Sequence, residues 1–226
     1  MNNKWAEKCI KKRLILHHEL ESIDKDEGGK MMQNTTKHSS KLTRLIILAL
    51  LGTIALILFF LNFPLPFLPP YLKIDFSDVP AIMAGLIFSP IAGVIVVLIK
   101  NLLYLVVTGA GDPIGIVANF LAGVMFVLPV SLIYHKYRKG VKSIVSGLIT
   151  GTIVMAVGMT VLNYYFILPA YSWFMGWDMS DQMAWGAVLI GVLPFNMIKG
   201  IVVGLLFVPL FMKMRSWIEQ KQTSLI

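Results

Sequence analysis

The sequence is poor in charge and nearly free of cysteine. Asp, Glu, Lys and Arg make up 14% of its 226 residues, and Cys9 is its single cysteine. One cysteine excludes an internal disulfide framework. So little charge, with 57% hydrophobic residues and a mean hydropathy of +0.75, excludes an ordinary soluble domain. Acidic residues are scarcer than basic ones, 12 against 20, which gives a net charge of +8. That excess does not point to nucleic acid, because the positive residues cluster before residue 45, in His135–Lys142 and from Lys213 onward. These clusters flank apolar runs, as Lys and Arg do on the cytoplasmic side of a membrane.

Several chemistries are also missing. No G-x-x-x-x-G-K-[ST] loop is present, so the chain cannot hydrolyse ATP by that route alone. His17-His18-Glu19 lacks the spacing that places two zinc ligands on one helix face. The apolar runs contain no paired carboxylates, no histidine cluster and no Ser/His/Asp set. This pattern argues against an enzyme, and neither a cofactor nor a metal is expected.

What is present is membrane. From residue 44 to residue 213 the chain is a series of long apolar runs without barrel-like alternation, which predicts an all-α polytopic membrane protein with six transmembrane helices. The spans fall at Leu45–Leu61, up to Phe88, Ile91–Val107, from Asp112 to about Tyr134, Val141–Phe166 and Ala184–Met212. Four prolines prevent a regular helix between Asn62 and Pro70. Ser77 or Asp78 is expected to cap the second helix, and Asp112-Pro113 reads as N-cap plus first turn of the fourth. The 79–107 stretch can also be read as one kinked span. Residues 1–40 form a cytoplasmic extension, 41–216 the substrate-binding membrane domain and 217–226 a cytoplasmic tail. With the N-terminus inside, the segments 62–78, 108–112 and 167–183 are outside and hold one lysine and five aspartates. Both termini are then cytoplasmic. Trp173, Trp177, Trp185, Tyr164, Tyr165 and Tyr171 fit an interfacial belt, whether as anchors or as more.

Polar residues inside the apolar runs are few: Lys100, Asn101, Asn119, Asn163, Asn196 and Lys199. A lysine at mid-membrane costs about 2.5–3.5 kcal/mol on insertion scales and normally faces a partner, a cavity or a ligand. Lys199 shares a helix face with Asn196, one turn earlier, and together they suggest a polar clamp in an apolar wall. Each asparagine alone equally suits an interhelical hydrogen bond, and Lys100 equally suits snorkelling or a neighbouring carbonyl. Amides and an ammonium favour a neutral ligand rich in hydroxyls and carbonyls over an inorganic ion. Small-residue spacings recur at Ala49/Thr53, Ala81/Gly85, Ala118/Ala122, Gly147/Gly151 and Gly200/Gly204, permitting close helix approach.

A family resemblance rests on Lys73-Ile74-Asp75-Phe76-Ser77-Asp78-Val79-Pro80 after a proline-rich loop, Lys100-Asn101-Leu102-Leu103, Asn119-Phe120-Leu121-Ala122-Gly123 and Asn196-Met197-Ile198-Lys199-Gly200. In this order, from Leu45 to Met212, the chain resembles the riboflavin-specific substrate-binding subunits (S components) of energy-coupling factor (ECF) transporters of Gram-positive bacteria. The resemblance implies tight capture of riboflavin from outside the cell. Delivery follows when the subunit joins a transmembrane coupling subunit and two cytoplasmic ATPases. It assigns Asn163, Asn196 and Lys199 to hydrogen bonds with the flavin, and the loop Lys73–Phe76 to backbone that closes over it. Asp75, Asp78 and Asn119 are carried over with them. The family's Ala-x-x-x-Ala coupling pattern on helix one has Ala49-x-x-x-Thr53 as its nearest counterpart here. Riboflavin, flat and apolar on its faces and polar at its edge, suits aliphatic and aromatic walls with a few fixed amides and one lysine. Competing expectations are an S component for thiamine, biotin or a pyridoxine-like compound, a stand-alone transporter driven by protons or sodium, and a ligand-free assembly protein. The stand-alone transporter would need a carboxylate at mid-membrane, and the chain is expected to lack one.

Overall fold

The computed structural model describes residues 41–69, 72–109, 111–137, 140–176 and 180–225, with side chains described to residue 222. The expected extension 1–40, together with Arg138, Lys139 and Trp177, lies outside the described residues. By contacts the chain divides into Met1–Ile46 and Ile47–Ile226. The first unit contributes only the start of helix α1 to the described residues. All that follows concerns the second.

Among the described residues, five helices are long and apolar enough to cross a membrane: α1 (Lys41–Phe60), α3 (Pro90–Thr108), α4 (Pro113–Lys136), α5 (Val141–Met175) and α6 (Asp181–Gln222). Their starts follow from local chemistry. The Ser89 hydroxyl accepts from the Ala92 N–H at 3.3 Å, with Pro90 in the first turn of α3. The Asp112 carboxylate accepts from the Gly115 N–H at 2.9 Å ahead of Pro113, as expected for α4. Ser180 caps α6, so this helix begins before Ala184. Gly109 and Gly176 close α3 and α5 at φ 65° and 67°, a region that suits glycine.

The sixth helix, α2 (Asp78–Ile87), has only ten residues, and all of them are buried. At 1.5 Å per residue it is about 15 Å long, half the hydrocarbon thickness. The remainder of this pass is extended chain. Strand β1 (Phe63–Pro64) pairs antiparallel with β2 (Lys73–Ile74). Beyond β2 burial deepens along the chain: Lys73 is exposed, Ile74 and Asp75 are buried, and Ser77 and Asp78 have no exposed surface. The segment therefore descends into the bundle before α2 begins.

α2 does not continue into α3 as one kinked span. The chain turns back at Ser89-Pro90, so that Ser77 meets Lys100 while Gly85 lies against Gly93. A Cβ at Gly93 would sit 2.9 Å from the Ala81 carbonyl oxygen and 3.2 Å from the Gly85 Cα. The Ala81/Gly85 spacing thus serves this hairpin. The C-terminal end of α2 is capped from two helices. His135 of α4 donates from Nε2 to the Gly85 carbonyl at 2.9 Å, and Gln222 of α6 donates to the Leu86 carbonyl. Both carbonyls are among the last four of a helix, which lack partners within it.

α4 packs on α5 and α5 on α6. Gly147 and Gly151 let α5 approach the α4 backbone: a Cβ at Gly151 would lie 2.7 Å from the Phe126 carbonyl oxygen. α6 continues helically past residue 216, with Ile218 and Gln222 buried. Large apolar side chains such as Val106, Ile190 and Leu205 are exposed, as on a surface that meets lipid. Two π-helical turns interrupt the long helices, Asn163–Ile167 in α5 and Ala187–Val192 in α6. Such turns are rare and frequently adjoin functional sites.

Candidate binding site

The polar residues of the membrane interior are brought together by the descending segment. Asp75 ends its extended part, Ser77 precedes α2 and Asp78 opens it. Lys100 comes from the middle of α3, and Asn196 and Lys199 from α6. The Lys199 ammonium lies 3.0 Å from Asp75 Oδ2 and 3.2 Å from Asp78 Oδ2. Lys100 donates to the Ser77 hydroxyl at 2.8 Å and faces Asp78 Oδ1 at 3.7 Å. The Ser77 N–H and hydroxyl both donate to Asp75 Oδ1. Every one of these side chains is buried.

Two ammonium groups and two carboxylates make the cluster neutral, which is the condition for keeping charges out of water. The expectation that the membrane interior lacks paired carboxylates is therefore corrected. They enter from a loop, outside every apolar run, and each is matched by a lysine. The cap expected at α2 is corrected as well. Ser77 stands at the N-cap position but makes no cap bond, because its hydroxyl is engaged by Asp75 and Lys100.

The two lysines differ in what they have left. An ammonium donates three ways. The Lys100 ammonium meets a hydroxyl, a carboxylate and the Phe59 ring, 4.9 Å from its centroid. Lys199 meets two carboxylates, which among the described residues leaves it one N–H to spare. One turn before it, Asn196 is buried and donates to the Val192 carbonyl at 2.8 Å. Asn163, half-buried at the start of the π turn of α5, donates likewise to the Met159 carbonyl at 2.8 Å. Each amide retains a second N–H and its carbonyl oxygen for another partner. Val192 ends the π turn of α6, so both amides sit beside a widened turn.

The remaining expected residues surround rather than join this cluster. Lys73 is exposed on β2. Phe76 is half-buried, its ring 6.2 Å from that of Phe63. Asn119 has a buried Oδ1 without a hydrogen-bond partner among the described residues. Four residues beyond it on α4, Gly123 borders Asp78, and a Cβ there would lie 3.4 Å from Oδ1. The loop before β2 rests on α6: Leu72 and Pro69 lie 3.7 and 3.8 Å from where a Cβ at Gly191 would be. Tyr164 and Trp185 join α5 to α6 with ring centroids 4.4 Å apart. Asn101 is buried, donates to the Val97 carbonyl at 2.8 Å and is not part of the cluster. Sequence reasoning missed Ser77, and it missed the role of Lys100 as its partner. The only signal available was the Asp-x-Ser-Asp run itself.

Comparison with known proteins gives this arrangement its context. The family model for the substrate-specific component of ECF transporters matches residues 43–211. The chain is 48% identical over 187 residues to Riboflavin transporter FmnP of Bacillus subtilis (strain 168), covering 81% of this chain and 98% of that protein. It is 45% identical over 179 residues to Riboflavin transporter RibU of Staphylococcus aureus (strain TCH60), covering 78% and 93%. A solved structure described as the S component of a bacterial ECF transporter superposes with a TM-score of 0.67 at 44% identity, covering 78% of this chain and 98% of that one. The chain belongs to the family of substrate-specific components of ECF transporters.

Proposed function

We propose that this chain is the riboflavin-binding membrane subunit of an ECF transporter and mediates vitamin B2 uptake. The observation that carries the proposal is the Lys199 ammonium, fixed by two carboxylates with one N–H to spare, one turn from the Asn196 amide. Donors and acceptors fixed in an apolar wall match the carbonyl and imide edge of a flavin, and the outer loop supplies cover. The names of relatives at 45–48% identity agree with it. Asn163, Asn196 and Lys199 bond the ligand, Lys73 to Phe76 close over it, and Asn119 offers a further acceptor. Asp75 and Asp78 act by holding Lys199. Because each is balanced by a lysine, neither supplies the uncompensated charge that proton or sodium coupling needs.

Transport energy then comes from a coupling subunit and two cytoplasmic ATPases. The exposed Ala49 and Thr53 on α1 form the docking face. The Thr53 hydroxyl folds back on the Ala49 carbonyl at 3.0 Å, leaving a smooth surface for a second helix. Both termini lie in the cytoplasm by the distribution of Lys and Arg.

The test is a titration of the detergent-purified, ligand-stripped protein with riboflavin, following quenching of flavin fluorescence. Saturable one-to-one quenching that thiamine, biotin and pyridoxine fail to compete is the expected result. Competition by one of these would reassign the substrate, and a folded sample that quenches nothing would remove the proposal.

A further inference from the structure

We infer that Lys100 is a positioning residue for the ligand site: through Ser77 and Asp78 it fixes the two carboxylates that aim Lys199. The inference rests on the proposed riboflavin site and adds to it a residue that does not touch the ligand. Lys100 is 1% exposed, yet its ammonium reaches none of the amides of that site. Its contacts are Ser77 Oγ at 2.8 Å, Asp78 Oδ1 at 3.7 Å and the Phe59 ring.

The chain of contacts runs in one direction. Lys100 bonds the Ser77 hydroxyl, Ser77 bonds Asp75 Oδ1, and the other oxygen of Asp75 holds Lys199. In parallel Asp78 gives one oxygen to each lysine. Lys199 is thus steered from both sides by carboxylates that Lys100 anchors to α3. Neither Asp78 oxygen has a hydrogen-bond partner among the described residues. Its orientation is therefore set by the two ammonium charges and by contact with Gly123, and removing one charge frees it to turn toward the other.

Charge balance makes the inference testable. The titratable groups that face Lys100 are Asp75 from the descending segment, Asp78 from α2 and Lys199 from α6. α1 presents Phe59 to Lys100, and α4 borders Asp78 through Gly123; neither residue titrates. Lys100→Met leaves two carboxylates on one ammonium, so both compete for Lys199 and its spare N–H is withdrawn from the ligand. Lys100→Met with Asp78→Asn restores one carboxylate to one ammonium.

The experiment measures riboflavin dissociation constants by fluorescence quenching for wild type, Lys100→Met, Asp78→Asn and the double variant, at neutral pH and at about one to two pH units lower. Lys100→Met is expected to weaken binding by about tenfold or more, with the double variant within about threefold of wild type. Binding by Lys100→Met should recover on acidification, as one carboxyl takes up a proton and balance returns, while wild type stays flat. A packing role alone gives no such recovery. Wild-type affinity in folded Lys100→Met, or a double variant no better than Asp78→Asn alone, overturns the inference. Should Lys100→Met not fold, the comparison of the double variant with Asp78→Asn decides. If wild type itself fails to bind riboflavin, the proposed function falls and the inference with it. If wild type binds and Lys199→Met does not, but Lys100→Met matches wild type, the inference alone is lost.

Discussion

Lys100 and Lys199 are both mid-helix, both buried and both set against carboxylates, yet their surroundings differ by one donor. Lys100 is enclosed by a hydroxyl, a carboxylate and an aromatic face. Lys199 stands between two carboxylates and beside the Asn196 amide. Burial therefore does not distinguish a structural charge from a binding one. What distinguishes them is what surrounds each ammonium. Enclosed by a hydroxyl, a carboxylate and a ring, a buried lysine holds elements together; set between carboxylates beside an amide, it can also hold a ligand.

The largest effect should come from the enclosed lysine. Lys100→Met removes one partner of a buried ion cluster, which generally costs about 3–5 kcal/mol because a charge remains unpaired. Thermal unfolding in detergent should show this loss. A Tm equal to wild type would mean that the cluster is hydrated and the contrast between the lysines is lost. Next is Gly93→Ala, where the new methyl would meet the Ala81 carbonyl oxygen at 2.9 Å and the Gly85 Cα at 3.2 Å. Backbone cannot yield as a side chain can, so the α2–α3 hairpin must open, at about 1–3 kcal/mol of stability. Because that hairpin sets Ser77 and Asp78 against Lys100, riboflavin binding should weaken too. Loss of stability without loss of binding would show that the lysines act independently of the hairpin.

The smallest effect should be at the far end of α2. Gln222→Ala removes the donor to the Leu86 carbonyl, and a single hydrogen bond of this kind is worth about 1 kcal/mol net. Chemical denaturation should register that loss while riboflavin affinity stays within about threefold of wild type. A larger drop in affinity would mean that α2 relays strain from its C-terminal cap to the lysines.

Much of the fold was legible because apolar runs and helix caps are local signals. Asp112-Pro113 and Ser89-Pro90 lie where helices begin, and six helices are present among the described residues. Helix lengths were less legible. α6 starts at Ser180 because a serine can cap ahead of the apolar run, and it continues to Ile218 and Gln222 because these pack against the bundle. The packing of Ile218 and Gln222 leaves no local trace. Lys199 and Asn196 stood out as polar residues in an apolar wall. Their neighbours Asp75, Ser77 and Asp78 lie in a segment that reads as an outer loop. Its descent into the bundle depends on a short α2 turning back on α3 at Gly85 and Gly93, a tertiary event that hydropathy does not register. Lys100 was visible as a costly charge, but its partner is 23 residues earlier in the chain.

The most direct test of the account is the riboflavin dissociation constant of Asn196→Leu and Lys199→Met beside wild type, measured on folded, ligand-stripped protein. Each substitution is expected to weaken binding by at least about tenfold, equivalent to about 1.4 kcal/mol, because a polar ligand group loses its partner in an apolar wall. Near-unchanged affinity in both would contradict the assignment of the site to Asn196 and Lys199.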